Sequence, residues 1–167
     1  NSVKLASGTD LKFNYDANDN IDRLEIENTD KNGISDPATP WIATTYGYNT
    51  LDNLTSKTEQ VANNQYQTTN YSYDLYENRN LITQPEGNQT KNIYDERDLL
   101  IETIRGYGTA DWISTKRFYD LNGNLEMVRD GNWHETKYLM DGFDRMIGYV
   151  DALGNRMEQE IDAVGNV

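Results

Sequence analysis

The chain has 167 residues, 15 Lys and Arg against 28 Asp and Glu, a formal charge of -13 and no cysteine. The acidic balance argues against sequence-independent nucleic-acid binding, which needs clustered Lys and Arg on phosphates. Without cysteine there is no disulfide scaffold, thiolate nucleophile or Cys-based zinc site. No apolar run approaches the roughly 20 residues that span a bilayer, so membrane insertion is not expected. Asn1 has no basic-then-apolar signal segment behind it, and the start reads as processed or cut. Low hydrophobicity with high net charge is the composition of disorder, but 12 Tyr and three Trp bring large buriable rings. With 20 Asn and 12 Gly for turns, and Tyr for strands, the arithmetic points to many short strands and many tight turns.

Taken in order, the chain repeats itself. Starts fall at Tyr15-Asp16, Tyr48-Asn49, Tyr73-Asp74, Tyr94-Asp95, Tyr119-Asp120, Met140-Asp141 and Ile161-Asp162, at intervals of 33, 25, 21, 25, 21 and 21 residues. Seven residues before a start stands a glycine: Gly8, Gly87 and Gly154, with Trp133 in that place before Met140 and its glycine moved to Gly131. Two residues before a start stand Phe13, Tyr46, Tyr71 and Tyr138, a spacing that shares one strand face. Asn92 and Arg117 break that column.

One unit therefore reads as strand, Asx-rich turn, strand, Gly-containing turn, a β-hairpin about every 21 residues. The expected fold is all-β, roughly 12 strands in a twisted, curved antiparallel sheet with one buried and one wet face, and residues 1–167 form a single repeat segment. The longer units carry their extra residues at 28–41, 61–67 and 106–112, all in the second-turn region. The first of these contains Asp36-Pro37 and Pro40, which cannot be ladder interior. The array begins and ends in mid-unit, as a piece of something longer does.

The Tyr-Asp starts, the Gly-Asn turns as at Gly123-Asn124, and the 21-residue period resemble the YD-repeat family, also called RHS repeats, from about Gly8 to Val167. The resemblance implies a continuous antiparallel sheet spiralling into a hollow shell. Members include bacterial polymorphic toxins, shell components of insecticidal Tc toxins, wall-associated bacterial proteins and animal teneurins. In the toxins the shell encloses a C-terminal effector released by self-cleavage. The family's cleavage motif, Asp-Pro-x-Gly, is absent; the only Asp-Pro, Asp36-Pro37, is followed by Ala-Thr. The resemblance thus implies a structural wall segment of a secreted or cell-surface bacterial protein, with no catalysis. Its partners are the remaining repeats of the parent, or further copies through the sheet edges, and an enclosed effector.

Other candidates compete with plainer readings. Asp16-x-Asn18-x-Asn20 with Glu27 has the ligand spacing of an EF-hand loop, but Ile21 stands where that loop needs glycine, and the segment coincides with a repeat turn. No metal or other cofactor is expected. Glu25 with Glu27, and Glu158 with Glu160, could pair as in a glycosidase, yet 28 acids make such pairs ordinary. His134 is the lone histidine and has no Gly-x-Ser-x-Gly elbow to serve. The Tyr column reads as a cross-strand aromatic ladder. Asn53-Leu-Thr55, Asn70-Tyr-Ser72 and Asn88-Gln-Thr90 are glycan acceptors only in a eukaryotic secretory protein. Trp41, Tyr107 and Trp112 fall in the inserted loops, where aromatic side chains stack on sugars or anchor interfaces. They are the candidate binding residues of the alternative reading, an adhesion or carbohydrate-binding module whose partner is a glycan.

Overall fold

A computed structural model of the chain describes residues 2–4, 9–30, 32–162 and 165. Gly8, and Asn166 and Val167 at the end of the last repeat, lie outside the described residues. The chain divides into two compact units, Asn1–Asn88 and Gln89–Val167.

Both units are antiparallel hairpin meanders in which each strand pairs with its neighbours in sequence. The first holds β1 (Ser2–Lys4), β2 (Asp10–Tyr15), β3 (Ile21–Glu27), β4 (Trp41–Tyr48), β5 (Leu54–Ala62), β6 (Gln65–Tyr73) and β7 (Arg79–Thr83). The second holds β8 (Gln89–Tyr94), β9 (Leu100–Arg105), β10 (Ile113–Tyr119), β11 (Leu125–Arg129), β12 (Glu135–Met140), β13 (Met146–Val150) and β14 (Arg156–Glu158). The 14 strands exceed the expected 12 by the three-residue β1 and β14, too short to carry an alternation readable in sequence.

The first-turn hairpins share one geometry. Residue i is Asp16, Asn49, Asp74, Asp95, Asp120 or Asp141, and its N–H donates to the carbonyl of residue i+4. Its own carbonyl accepts from residue i+3, which has positive φ in every case: Asp19, Asp52, Glu77, Asp98, Gly123 and Asp144. This is a type I turn followed by a left-handed residue, the usual three-residue hairpin loop. The side-chain oxygen of residue i then accepts the N–H groups of residues i+2 and i+4, as Asp120 does from Asn122 and Asn124 at 2.9 and 2.8 Å. The second turns at Gln84–Asn88, Asp130–His134 and Asp151–Asn155 repeat the backbone pattern, with Gly87, Trp133 and Gly154 left-handed. The two turn classes read from the sequence are therefore one turn with two fillings.

The repeated tyrosine has a task that the column alone did not reveal. In every first-turn hairpin the register slips by one residue just before the start, as between Gly47 and Tyr48 or Phe118 and Tyr119. The β3–β4 pairing then stops at Arg23↔Thr45, and the Tyr48 hydroxyl donates to the Ile21 carbonyl beyond it at 2.9 Å. Tyr73 does the same to the Leu54 carbonyl at 2.8 Å, and Tyr119 to the Leu100 carbonyl at 3.0 Å. Each ring thus satisfies an acceptor of the preceding repeat that the bulge removed from the ladder. Burial pushes the Tyr48 and Tyr73 hydroxyls above their ordinary pKa, aided at Tyr48 by Asp16.

The expected buried face needs correction. Register and alternation give the first unit an apolar face, with the rows Leu11–Ile26–Ile42 and Phe13–Leu24, and a polar one, with Lys12–Glu25 and Thr45–Thr58–Thr68. Those rows stay half-buried, with Ile26 at 42% exposure, and do not close into a core. Among the described residues Ala43, at 5% exposure, is the one buried hydrophobic side chain. Apolar residues stand in the open even at turn tips, Leu75 and Leu121 among them. Each unit is a single layer, where a domain core needs two.

Candidate functional site

Of the three candidate aromatics, the structure brings two together and places the third elsewhere. Trp41 is not in a loop: it is the first residue of β4, paired with Glu27, and its ring lies 3.5 Å beneath the Lys12 ammonium. Segment 61–67 is likewise mostly strand, since β5 and β6 lengthen and leave a tight turn in which Asn64 is left-handed. The extra residues there pair with one another past the last pairs made by β4 and β7, so the insertion projects as an exposed two-stranded ribbon rather than as a loop.

The 106–112 segment does form a loop. Gly106 and Gly108 are both left-handed, Thr109 closes the turn onto the Gly106 carbonyl, and the Tyr107 N–H donates to the Gln89 carbonyl at 3.0 Å. Tyr107 takes the Lys91 ammonium over its ring at 4.7 Å. Trp112 leads into β10 and is 56% exposed. Tyr107 and Trp112 border one groove with Ile104 and Thr109.

Trp112 borders a second groove, of about 230 Å³, whose other wall is Trp133. Trp133 is 76% exposed and holds φ 68 in the slot that Gly87 and Gly154 fill in the sister turns. A bulky side chain in left-handed backbone costs on the order of 1–3 kcal/mol, and so exposed a ring recovers little by burial. Ile113, Ser114 and Gly131 line the same groove with the charged Glu102, Lys116, Arg129 and Asp130, and Glu102, Lys116, Arg129 and Glu135 stand in one row across β9 to β12 in register. Arg129 is fixed from three sides. It donates to Glu135 Oε1 through Nε at 2.9 Å and Nη2 at 2.6 Å, and its guanidinium lies 5.3 Å from the Phe118 ring and 5.5 Å from the Trp133 ring. Lys116 Nζ is 3.9 Å from Glu102 Oε1. The arrangement offers two flat apolar walls over a charged but balanced floor.

Sequence reasoning missed Trp133 as a site residue, although its signal was present: a Trp in a glycine slot. Arg129 and Glu135 had a signal too, opposite charges bracketing the turn 130–134.

The remaining candidates resolve into structure. Asp16 is a turn acceptor, bonded by the Asn18 and Asn20 N–H groups, while Glu27 sits at the far end of β3 and accepts from the Asp10 N–H. Among the described residues no group of three His, Asp or Glu side chains is placed to hold a metal ion. Glu25 is paired with Arg23 at 2.8 Å and Glu158 with Arg156. His134 Nδ1 lies 3.1 Å from Asp130 Oδ2 inside its own turn. Asn53 donates from its side chain to Glu77.

No protein-family model and no curated protein sequence matches the chain. Solved structures do. The TcdB2–TccC3 complex lacking its hypervariable C-terminal region matches with a TM-score of 0.66 at 14% identity, covering 99% of this chain and 10% of that one. The TcdB2–TccC3–Cdc42 structure matches at 0.64 and 15% identity, with the same coverages. A Photorhabdus luminescens Tc holotoxin pore carrying a TccC3 variant matches at 0.63 and 16% identity, again over 99% and 10%. At such identities the likeness is one of fold, and the chain spans about a tenth of the length of those it matches. Its hairpin meander has the fold of a stretch of a Tc toxin component.

Proposed function

We propose that residues 1–167 form part of the wall of an RHS-type shell in a secreted or cell-surface, toxin-like bacterial protein, enclosing an effector and performing no chemistry of their own. The observation that carries this reading is that nearly the whole chain follows a tenth of a TcdB2–TccC3 chain. The physics of the sheet supports it. A single layer whose apolar face stays half-exposed among the described residues, with β1 and β14 at its edges, is stabilised further when more protein pairs with an edge or screens the face. Among the described residues no helix is long and apolar enough to cross a membrane.

The test is cryo-electron microscopy of the full-length parent with protease protection of its C-terminal part. The reading requires these residues in the shell wall and the effector protected until the shell is opened. An open rod with solvent on both faces of the sheet would refute it. With the isolated chain, sedimentation should show association that Glu158→Pro in β14 reduces, since Gln159 donates inward to Ile147 and the alternate Glu158 N–H faces the free edge, where proline removes it.

A further inference from the structure

We propose that the groove between Trp112 and Trp133 is a binding site for a neutral oligosaccharide, a role that stands independently of the wall reading. Three observations converge. First, Trp133 sits where the sister second turns use Gly87 and Gly154 and the first turns use Gly, Asp or Glu, at left-handed φ and 76% exposed. The contact the fold gains there, the Arg129 guanidinium 5.5 Å from the ring, is a weak one at so exposed a site and does not offset the backbone strain, so the residue is explained by what it faces. Second, Trp112 forms the opposite wall, and the space between them, about 230 Å³, is floored by Ser114 and by Gly131. A Cβ on Gly131 would stand 3.3 Å from Ile113 Cβ, so glycine keeps the floor low. Third, the charged residues that line the groove, Glu102, Asp130, Lys116 and Arg129, are two acids and two bases in a chain of net charge -13.

Those features select the ligand's chemistry. Indole walls suit a ring with C–H faces. Arg129, held rigid by Glu135 and by two aromatic rings, and the carboxylate of Glu102 supply fixed donors and acceptors at the ring's edge. The cancelling charges disfavour an anionic sugar, a phosphate or a strongly basic peptide. The neighbouring groove between Tyr107 and Trp112 shares the Trp112 wall, and another beyond Trp133 is lined by His134, Lys137 and Val150. Aromatic walls following one another along the hairpin ends of this unit fit several linked sugars rather than one.

The experiment is titration of the intact chain with a panel of neutral oligosaccharides (glucose-, galactose-, mannose- and N-acetylglucosamine-based), read by tryptophan fluorescence and calorimetry. Acidic oligosaccharides and a basic peptide run in parallel. Binding of a neutral oligosaccharide is expected, weakened about tenfold or more by Trp133→Gly and by Trp112→Ala and unchanged by Trp41→Ala. Trp133→Gly restores the residue of the sister turns and should keep or raise the melting temperature, so its loss of binding cannot be blamed on unfolding. No binding to any neutral member overturns the proposal. So does binding only to the acidic sugars or the peptide, and so does binding that survives both tryptophan replacements. None of these results bears on the shell.

Discussion

The two ends of the hairpins in each unit are built under different rules. At the Tyr-Asp end the six turns from Asp16 to Arg145 have the same length, an Asp or Asn acceptor at the first position and a left-handed fourth residue. Successive turns are also tied to one another. Asn18 and Asn20 both donate to Asp52 at 2.8 Å, Asn53 donates to Glu77, and in the second unit Asn122 and Asn124 donate to Asp144. Arg97 reaches the Asp120 carbonyl and Arg145 the Asp162 carbonyl. At the opposite end the loops between β3 and β4 and between β9 and β10 depart from the common turn, and the exposed Tyr107, Trp112 and Trp133 gather in the second unit. A periodic end constrains each residue through its neighbours, whereas a variable end is free to acquire side chains that serve something else.

Acid should act on what the two ends share, since Asp130 and Asp151 at the opposite end are held down by donors in the same way, and it has the largest effect. Backbone and side-chain donors hold the turn carboxyls of Asp120 and Asp141 below their ordinary 3.8, led by the Asn124 and Arg145 side chains respectively. At Asp16 and Asp95 burial pushes upward, and the backbone N–H groups of Asn20 and Asn18, or of Leu99 and Arg97, outweigh it together with the Asn20 or Arg97 side chain. A folded pKa below the unfolded one gives stability that is complete above about 3.8 and is lost as pH falls through the folded value. Thermal unfolding should therefore vary little down to the pI near 4.3 and fall steeply below pH 3.8. One turn carries its own control, since Asn49 does not titrate. Hydrogen exchange in acid should release the Asn124 amide while the Asn53 amide, bonded to Asn49 Oδ1 at 2.9 Å, keeps its protection. Equal loss at both would show that charge repulsion, not the turn acceptors, governs acid unfolding.

Lengthening the turns separates the two ends next. Two glycines inserted between Asn122 and Gly123 disrupt the acceptor geometry of Asp120 and the tie to Asp144. The same insertion between Gly108 and Thr109 lengthens an already irregular loop, which costs only about 0.6 kcal/mol per doubling of length. Circular-dichroism melts should show a clear drop for the first and little change for the second. If the loop insertion is the worse of the pair, the distinction between the ends fails.

Tyr73→Phe follows in size. It removes a hydroxyl that spans two repeats and leaves the Leu54 carbonyl without that donor, a loss of about 1 kcal/mol, or roughly 2–4 °C in a domain of this size. A hydroxyl bonded only to water would give no change on removal.

How far the sequence reached follows the same division. Hairpins, turn positions and starts were legible because strand alternation and turn chemistry are local: Asp, two residues, a left-handed residue. The hydroxyl bonds of Tyr48, Tyr73 and Tyr119 were not, because their carbonyl partners lie 19 or 27 residues away and become available only through a one-residue register slip. Trp41 was misplaced for a related reason. Its neighbour Pro40 marks the end of a loop, but only the pairing of Glu27 with Trp41 shows that β4 has already begun. The groove could not be read from the sequence, since residues from 102 to 133 meet there only through the registers of β9 to β12. The charge balance of its floor is likewise a property of pairing rather than of order along the chain.

The smallest effect tests whether ties between turns offset the strain they impose. Asp52, Glu77 and Asp144 all occupy left-handed backbone that Gly123 occupies without cost, and each accepts a hydrogen bond from the turn before it. Glu77→Gly relieves the backbone at φ 68 but gives up one exposed bond from Asn53 and loosens the unfolded chain. These contributions oppose one another at similar size, and the net change should stay within about 0.5 kcal/mol. Asp52→Gly surrenders two donors for the same relief, so it should melt lower than Glu77→Gly. That ordering is the measurement. If both variants melt above the parent chain, the acidic residues at these positions are not there for the turns, and the regularity of this end would need a cause outside the chain.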